Sequence, residues 1–188
     1  MKNIPLKDCF DIVPGIMTSS EGAESEQATV LFPPRDGSDS SWSKKNRSLR
    51  PNFGKRPTIR KGDLLVSLKS SKLSTLIATE EHEGLTPSKS VAVFTPKDNN
   101  QALVHWLQYW LQSSDFRLKY FDAISRSSVG YLSPSVFWSV EMPEPSTSKL
   151  LELGKVTSLL DRSQKDLELT LDKIKKLREV EIDILFAD

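Results

Sequence analysis

Ile59-Arg60-Lys61-Gly62-Asp63-Leu64-Leu65-Val66-Ser67-Leu68 is the stretch on which the fold turns. Gly62-Asp63 is a turn signal, and the apolar run behind it predicts a buried strand. Downstream, residues 69–72 read as a polar turn, 73–79 as the return strand and 80–84 as another turn. The β-branched run 90–95 predicts a further strand, stopped by Pro96. Upstream, residues 4–17 read as a short strand pattern ended by Pro14-Gly15, and 18–27 as a polar, acidic loop. Residues 28–32 form a second short apolar run, closed by Pro33-Pro34. Residues 36–57 are rich in Ser, Arg, Lys, Pro and Gly, with Trp42 and Phe53 their only large apolar anchors, and read mostly as loop.

Beyond Pro96 the period changes. Asn99 or Asn100 can cap a helix carrying Ala102, Leu103, Trp106, Leu107, Trp110 and Leu111. Ser114 can cap a second, with Phe116, Leu118, Tyr120 and Phe121. Strands followed by helices, without regular βαβ alternation, predict an α+β fold: a mixed, curved sheet with packed helices over residues 1–145. Met142-Pro143-Glu144-Pro145 is punctuation, Ser146 to Ser148 offer N-caps, and residues 146–188 predict one long coiled-coil-type helix. Its stripe is Leu153, Val156, Leu160, Leu167, Ile174, Leu177 and Ile184, broken at Ser163, Thr170 and Glu181 and widened by Leu159, Leu171, Val180 and Leu185. A helix of about 38 residues is ~57 Å long, whereas a 145-residue domain is only ~38 Å across. Such a helix is expected to overshoot its domain and to need a partner helix. Gly154, its one internal breaker, lies too near the start to fold the long part back.

The 188 residues suit one domain with an extension, and their net charge of +1 hides a strong polarity. Residues 1–40 carry a net −4, residues 74–140 a net −1 and residues 141–188 a net −3. Residues 41–73 hold ten basic side chains against Asp63 alone. Lys44, Lys45, Arg47 and Arg50 fall in the expected loop, Lys55, Arg56 and Arg60 lead into the strand, and Lys69 and Lys72 flank Ser70-Ser71. Cations so concentrated suit a polyanion; Arg and Ser can also donate to base edges, and Trp42 adds an aromatic surface.

Catalytic signatures are mostly absent. Gly54-Lys55 and Gly154-Lys155 both lack the glycine five residues upstream that a phosphate loop requires. Phe32-Pro33-Pro34-Arg35 reads as a turn. Asp63 has no second carboxylate two residues before Lys69, so it reads as a turn residue rather than a nuclease ligand. His82, within Glu80-Glu81-His82-Glu83, is expected to be a solvated turn residue, and His105 an ordinary helix residue. Cys9 reads as a small core hydrophobe. Two histidines and one cysteine make no usual zinc site, and neither a metal nor a cofactor is expected. No apolar run is long enough to span a membrane, and the N-terminus lacks a signal-peptide core. The expected setting is the cytoplasm.

The order of these pieces resembles a known family. Ile59-Arg60-Lys61-Gly62-Asp63-Leu64-Leu65-Val66-Ser67 is followed by Thr86-Pro87-Ser88-Lys89-Ser90-Val91-Ala92-Val93. The Leu107 to Leu111 helix and Gln112-Ser113-Ser114-Asp115-Phe116 come next. Arg126-Ser127-Ser128-Val129-Gly130-Tyr131-Leu132-Ser133 and Val140-Glu141-Met142-Pro143-Glu144-Pro145 then lead into the long helix. This is similar to one target-recognition domain and one spacer helix of the specificity (S) subunits of type I restriction–modification enzymes. The resemblance implies a non-catalytic subunit that reads half of a bipartite site on double-stranded DNA. Its partners would be adenine methyltransferase (M) subunits and, in the restriction complex, the restriction (R) subunit. It places Ser88, Lys89, Arg126, Ser127, Ser128 and Tyr131 beside the basic residues as DNA contacts. A chain with one recognition domain resembles a half-length S subunit, for which a homodimer through Leu153, Val156, Leu160, Leu167, Leu171, Ile174, Leu177 and Ile184 is expected. Two features depart from the family pattern. Pro143-Glu144-Pro145-Ser146-Thr147-Ser148 replaces the usual Pro-Pro-Leu-x-Glu-Gln entry, and Ser127 or Ser128 stands where glycine is common. The alternative reading is a protein-interaction adaptor derived from such a domain that reads no DNA.

Overall fold

The computed structural model describes residues 2–19, 27–34, 41–49, 57–69, 73–118 and 132–186, except for the side chains of residues 19, 161, 164 and 179–186. In chain order the elements are β1 (Asn3–Pro5), α1 (Leu6–Cys9), β2 (Phe10–Pro14), β3 (Thr18–Ser19), β4 (Gln27–Phe32), β5 (Ser43–Leu49), β6 (Leu64–Ser67) and β7 (Thr75–Ile77). They continue with β8 (Thr86–Pro87), β9 (Val91–Pro96), α2 (Gln101–Gln112), α3 (Ser114–Phe116), β10 (Glu141–Pro143) and α4 (Thr147–Phe186). Short 3-10 helices cover Glu80–His82 and Pro134–Trp138. The chain divides into two compact units, Met1–Pro145 and Ser146–Asp188. The fold is α+β, with antiparallel and mixed sheets, packed helices and a long C-terminal helix.

The apolar run 64–68 is central to the first unit. β6 pairs with β7 on one side and β9 on the other, in an antiparallel sheet ordered β2-β9-β6-β7. Successive side chains on a strand point to opposite faces, and here both faces are covered. Leu64, Val66, Ala92 and Phe94 join Val104, Leu107, Trp110 and Leu111 of α2 in the larger core. Leu65, Val91 and Val93 join Leu31, Ile59 and Ala78 in a smaller core on the other side. Phe94 packs edge-on against Phe10 and Phe137, with ring centroids 6.3 and 5.2 Å away. A strand buried on both faces reads as a continuous apolar run, which is why 64–68 is so legible.

The second sheet, ordered β3-β5-β4-β8, is antiparallel except for the β4–β8 pair. Gly15 marks the crossing between the sheets: its amide donates to Val91 O at 2.9 Å, and the Ile16 amide donates to Pro87 O at 3.0 Å. A Cβ at position 15 would collide with the Ser88 carbonyl and lie 2.7 Å from Pro87 O, so only glycine lets the backbones approach this closely.

Three local expectations need correction. Within residues 36–57, expected to be mostly loop, Ser43–Leu49 forms the seven-residue β5; the flanking 35–40 and 50–56 lie outside the described residues. Lys44 to Arg47 are exposed on both faces of that strand, so no apolar alternation marks it; backbone pairing with β4 and β3 holds it in place. Residues 18 and 19 are strand rather than loop, again through pairing with β5. The second helix is capped by Ser113, one residue before the expected Ser114. Ser113 has extended backbone, and its Oγ accepts from the Phe116 amide at 3.2 Å. Asn100 caps α2 as expected, accepting from the Leu103 amide at 3.2 Å.

α4 is continuous through Gly154 and measures roughly 60 Å at 1.5 Å per residue. Ser146 Oγ accepts from the Lys149 amide at 3.3 Å and caps its start. Leu153 is half-buried. Val156, Leu160, Leu167, Leu171, Ile174 and Leu177 are all exposed, Leu167 at 64% and Leu177 at 69%. The polar break at Thr170 satisfies itself, its hydroxyl donating to Asp166 O at 2.8 Å. No helix among the described residues is long and apolar enough to cross a membrane.

Candidate nucleic-acid interface

β5 carries Lys44, Lys45 and Arg47, all exposed. Register with β4 sets Asn46 opposite Thr29 and Ser48 opposite Gln27. The Thr29 hydroxyl donates to Asn46 Oδ1 at 2.9 Å, and Gln27 Nε2 donates to Ser48 Oγ at 2.8 Å. The strand thus presents cations interleaved with amide and hydroxyl groups, the chemistry that meets phosphates and base edges. Sequence reasoning missed Gln27, Thr29 and Asn46. The spacing Lys44-x-Asn46-x-Ser48 would have revealed their common face once 43–49 was recognised as a strand.

The turn 59–63 carries Arg60 and Lys61, both exposed. Asp63, which closes it, is buried at 2% exposure and holds the turn from inside. Its Oδ2 accepts from the Arg60 amide at 2.8 Å and its Oδ1 from the Thr95 hydroxyl at 2.7 Å. Burial pushes its carboxyl above the ordinary carboxylate value, against the lowering effect of those two bonds. The turn-residue reading of Asp63 holds, with the side chain inside the fold.

Acidic residues reduce the basic region more than sequence counting suggests. Lys44 Nζ lies 3.3 Å from Glu81 Oε2 and donates to Glu81 O at 3.0 Å. Lys61 Nζ lies 2.7 Å from Glu80 Oε1, and that bond raises the lysine's affinity for its proton. The 80–84 turn therefore folds back onto cations 19 and 37 positions away.

His82 is not solvated, as its acidic neighbours suggested, but buried at 6% exposure. Its Nδ1 accepts from the Thr79 amide at 3.2 Å and lies 2.8 Å from the Thr79 hydroxyl. It takes the place of the Glu or Gln of a capping box. Burial pushes its pKa below the ordinary 6.5. The unfolded chain therefore takes the proton first, and His82's contribution is complete above about pH 6.5 and declines as the pH falls toward the depressed folded value. Thermal melts are expected to show a lower midpoint at pH 5 than at pH 7. That decrement shrinks in His82→Gln, which keeps a capping-box acceptor without a titrating ring; an undiminished decrement would assign it to other groups.

The remaining expected contacts divide clearly. Lys69 and Lys89 are exposed, and the Leu68 amide donates to Ser90 O at 2.8 Å, which sets their segments side by side. The Leu132 amide donates to Leu68 O at 2.9 Å, bringing the end of the 126–133 stretch to the same place. Trp42 is half-buried against the smaller core, and Ser88 is buried, so neither lies fully open. Arg50, Lys55, Arg56, Ser70, Ser71, Lys72, Arg126, Ser127, Ser128 and Tyr131 lie outside the described residues, as does the side chain of Ile184. Among the described residues no cluster of His, Cys, Asp and Glu could hold a metal ion. Cys9 is half-buried against the larger core, and burial raises its thiol pKa.

No protein-family model matches the chain, and no curated protein matches it in sequence. Solved structures do match. The HsdS subunit from Thermoanaerobacter tengcongensis superposes with a TM-score of 0.52 at 20% identity, over 89% of this chain and 38% of that one. A chain from a structure of the type I R-M system, described for its complex assembly and conformational transition, gives a TM-score of 0.52 at 20% identity. It matches 92% of this chain and 43% of its own length. The chain thus spans about two fifths of the length of either. The architecture, an α+β unit followed by one long helix, is the fold of part of the HsdS chain.

Proposed function

We propose that this chain is a DNA-recognition subunit of a type I restriction–modification system. In this reading residues 1–145 form a target-recognition domain and 146–188 a spacer helix, and the chain itself catalyses nothing. The observation that carries the reading is the fold shared with HsdS over 89% of the chain. The cation-bearing strand β5, with Lys44, Asn46 and the paired Gln27 on one face and Lys45 and Arg47 on the other, supports it chemically. Lys44, Lys45, Arg47, Arg60, Lys69 and Lys89 meet phosphates, while Arg, Asn and Gln donors reach base edges. The assignment of Arg50, Lys55, Arg56, Arg126 and their serine neighbours to DNA contact rests on the sequence alone.

The exposed stripe of α4 packs against the same stripe of a second copy, so two recognition units act on one duplex. A twofold pair reads two identical half-sites in inverted orientation, separated by a fixed gap. Adenine methyltransferase subunits dock on the pair and supply the chemistry, and the restriction subunit joins them for cleavage; the setting is cytoplasmic. Selection of binding sequences from a randomised duplex pool tests the reading. Two inverted copies of one motif are expected, and an unenriched pool would reject it.

A further inference from the structure

The 79–84 turn is built more firmly than a solvent loop requires. Buried His82 secures it through Thr79, and it is tied to the strand entrance by reciprocal bonds, Gly84 amide to Ile59 O and Ile59 amide to Leu85 O, each 2.9 Å. Gly84 takes a positive φ of 78°, which lets the chain turn back at that point. The Gly62 amide also donates to Ala78 O at 2.8 Å. The outcome is a rigid mount for two exposed carboxylates. Glu80 faces Lys61 on the 59–63 turn, and Glu81 faces Lys44 on β5, in the other sheet. Glu83 adds negative charge near Lys61.

Exposed ion pairs of this kind add little to the stability of a fold, so stability alone gives little reason for so fixed an arrangement. Their electrostatic effect is larger. Of the six described cations in residues 41–73, Lys44 and Lys61 are thereby neutralised, while Lys45, Arg47, Arg60 and Lys69 make no ion pair among the described residues. Phosphates attract every cation regardless of sequence, and each neutralised phosphate steepens the salt dependence of binding by about 0.9. A recognition protein in a genome is limited by the ratio of specific to non-specific binding rather than by affinity alone.

We propose that Glu80 and Glu81 are specificity-determining residues: they hold Lys61 and Lys44 against the phosphates of unselected DNA and so lower non-specific affinity. The inference rests on the DNA-recognition reading and adds to it a carboxylate screen over two of its cations. An exposed pair breaks readily, so a site whose bases fit β5 can pull the two lysines across, while random duplex cannot.

The test is binding of a fluorescent short duplex of randomised sequence, titrated with salt, by the full chain and by Glu80→Gln with Glu81→Gln. Both side chains are exposed and glutamine keeps their shape, so the fold is retained. The double variant is expected to bind several-fold more tightly at low salt, with a slope steeper by up to about two; each single variant gives about half that change. Wild-type binding with an unchanged slope in the double variant would overturn the screen and leave the DNA reading standing. Failure of the wild-type chain to bind duplex at any salt would overturn both.

Discussion

Leu167→Asp or Ile174→Asp is expected to turn a pair of chains into monomers in sedimentation. The argument begins with spacing. Leu153, Leu160, Leu167 and Ile174 recur every seven residues, and Val156 and Leu177 fall at the alternating position of the same heptads. A repeat of 3.5 keeps one seam facing a partner along the length of two supercoiled helices. The structure shows a single continuous helix with that seam exposed from Val156 to Leu177, Leu167 at 64% and Ile174 at 53%. Burying a leucine or isoleucine there is worth about 2 kcal/mol, and a twofold pair loses it twice. Roughly 4 kcal/mol corresponds to about a thousandfold in Kd, before the cost of burying an aspartate is added. Unchanged mass in either variant would remove the helix from the interface. Lys165→Asp, at an exposed position off the stripe, serves as the control and leaves the mass unaltered.

Lys45→Glu combined with Arg47→Glu is the second large effect. Both side chains are exposed on a strand fixed from both sides by β3 and β4, so reversal perturbs the surface rather than the core. Loss of two phosphate contacts flattens the plot of log affinity against log salt by nearly two units. Affinity at low salt falls by at least tenfold, since the new carboxylates also repel the backbone. Measurement of duplex binding across salt concentrations reads both quantities. An unchanged slope would place the DNA face elsewhere on the unit.

The sequence made the buried parts legible because their signal is local. The run 64–68 and the β-branched run 90–95 alternate between two covered faces, so every position is apolar or small. Asn100 and the Trp106 to Leu111 periodicity announced α2 in the same way. β5 was hidden because its reason for being a strand lies in β4, where Ala28 to Leu31 pair with Lys44 to Arg47. Its own side chains face water and follow no apolar period. The ion pairs were hidden for a related reason: Lys44 and Glu81 are 37 positions apart, and only the folded turn joins them. His82 misled through its acidic neighbours, whereas its burial follows from capping Thr79. The concentration of charge in 41–73 falls on β5 and the 59–63 turn, where counting overstated how much of that charge is uncompensated.

The most direct measurement is selection of bound sequences from a randomised duplex pool by the wild-type chain, followed by sequencing. A recognition unit on each of two paired helices predicts enrichment of one short motif in two inverted copies, at a single fixed spacing. In the Leu167→Asp background the spacing constraint disappears, because nothing holds the two units apart at a set distance. A pool that emerges unenriched, or enriched in one motif with no second copy at fixed distance, would contradict a paired DNA-recognition subunit.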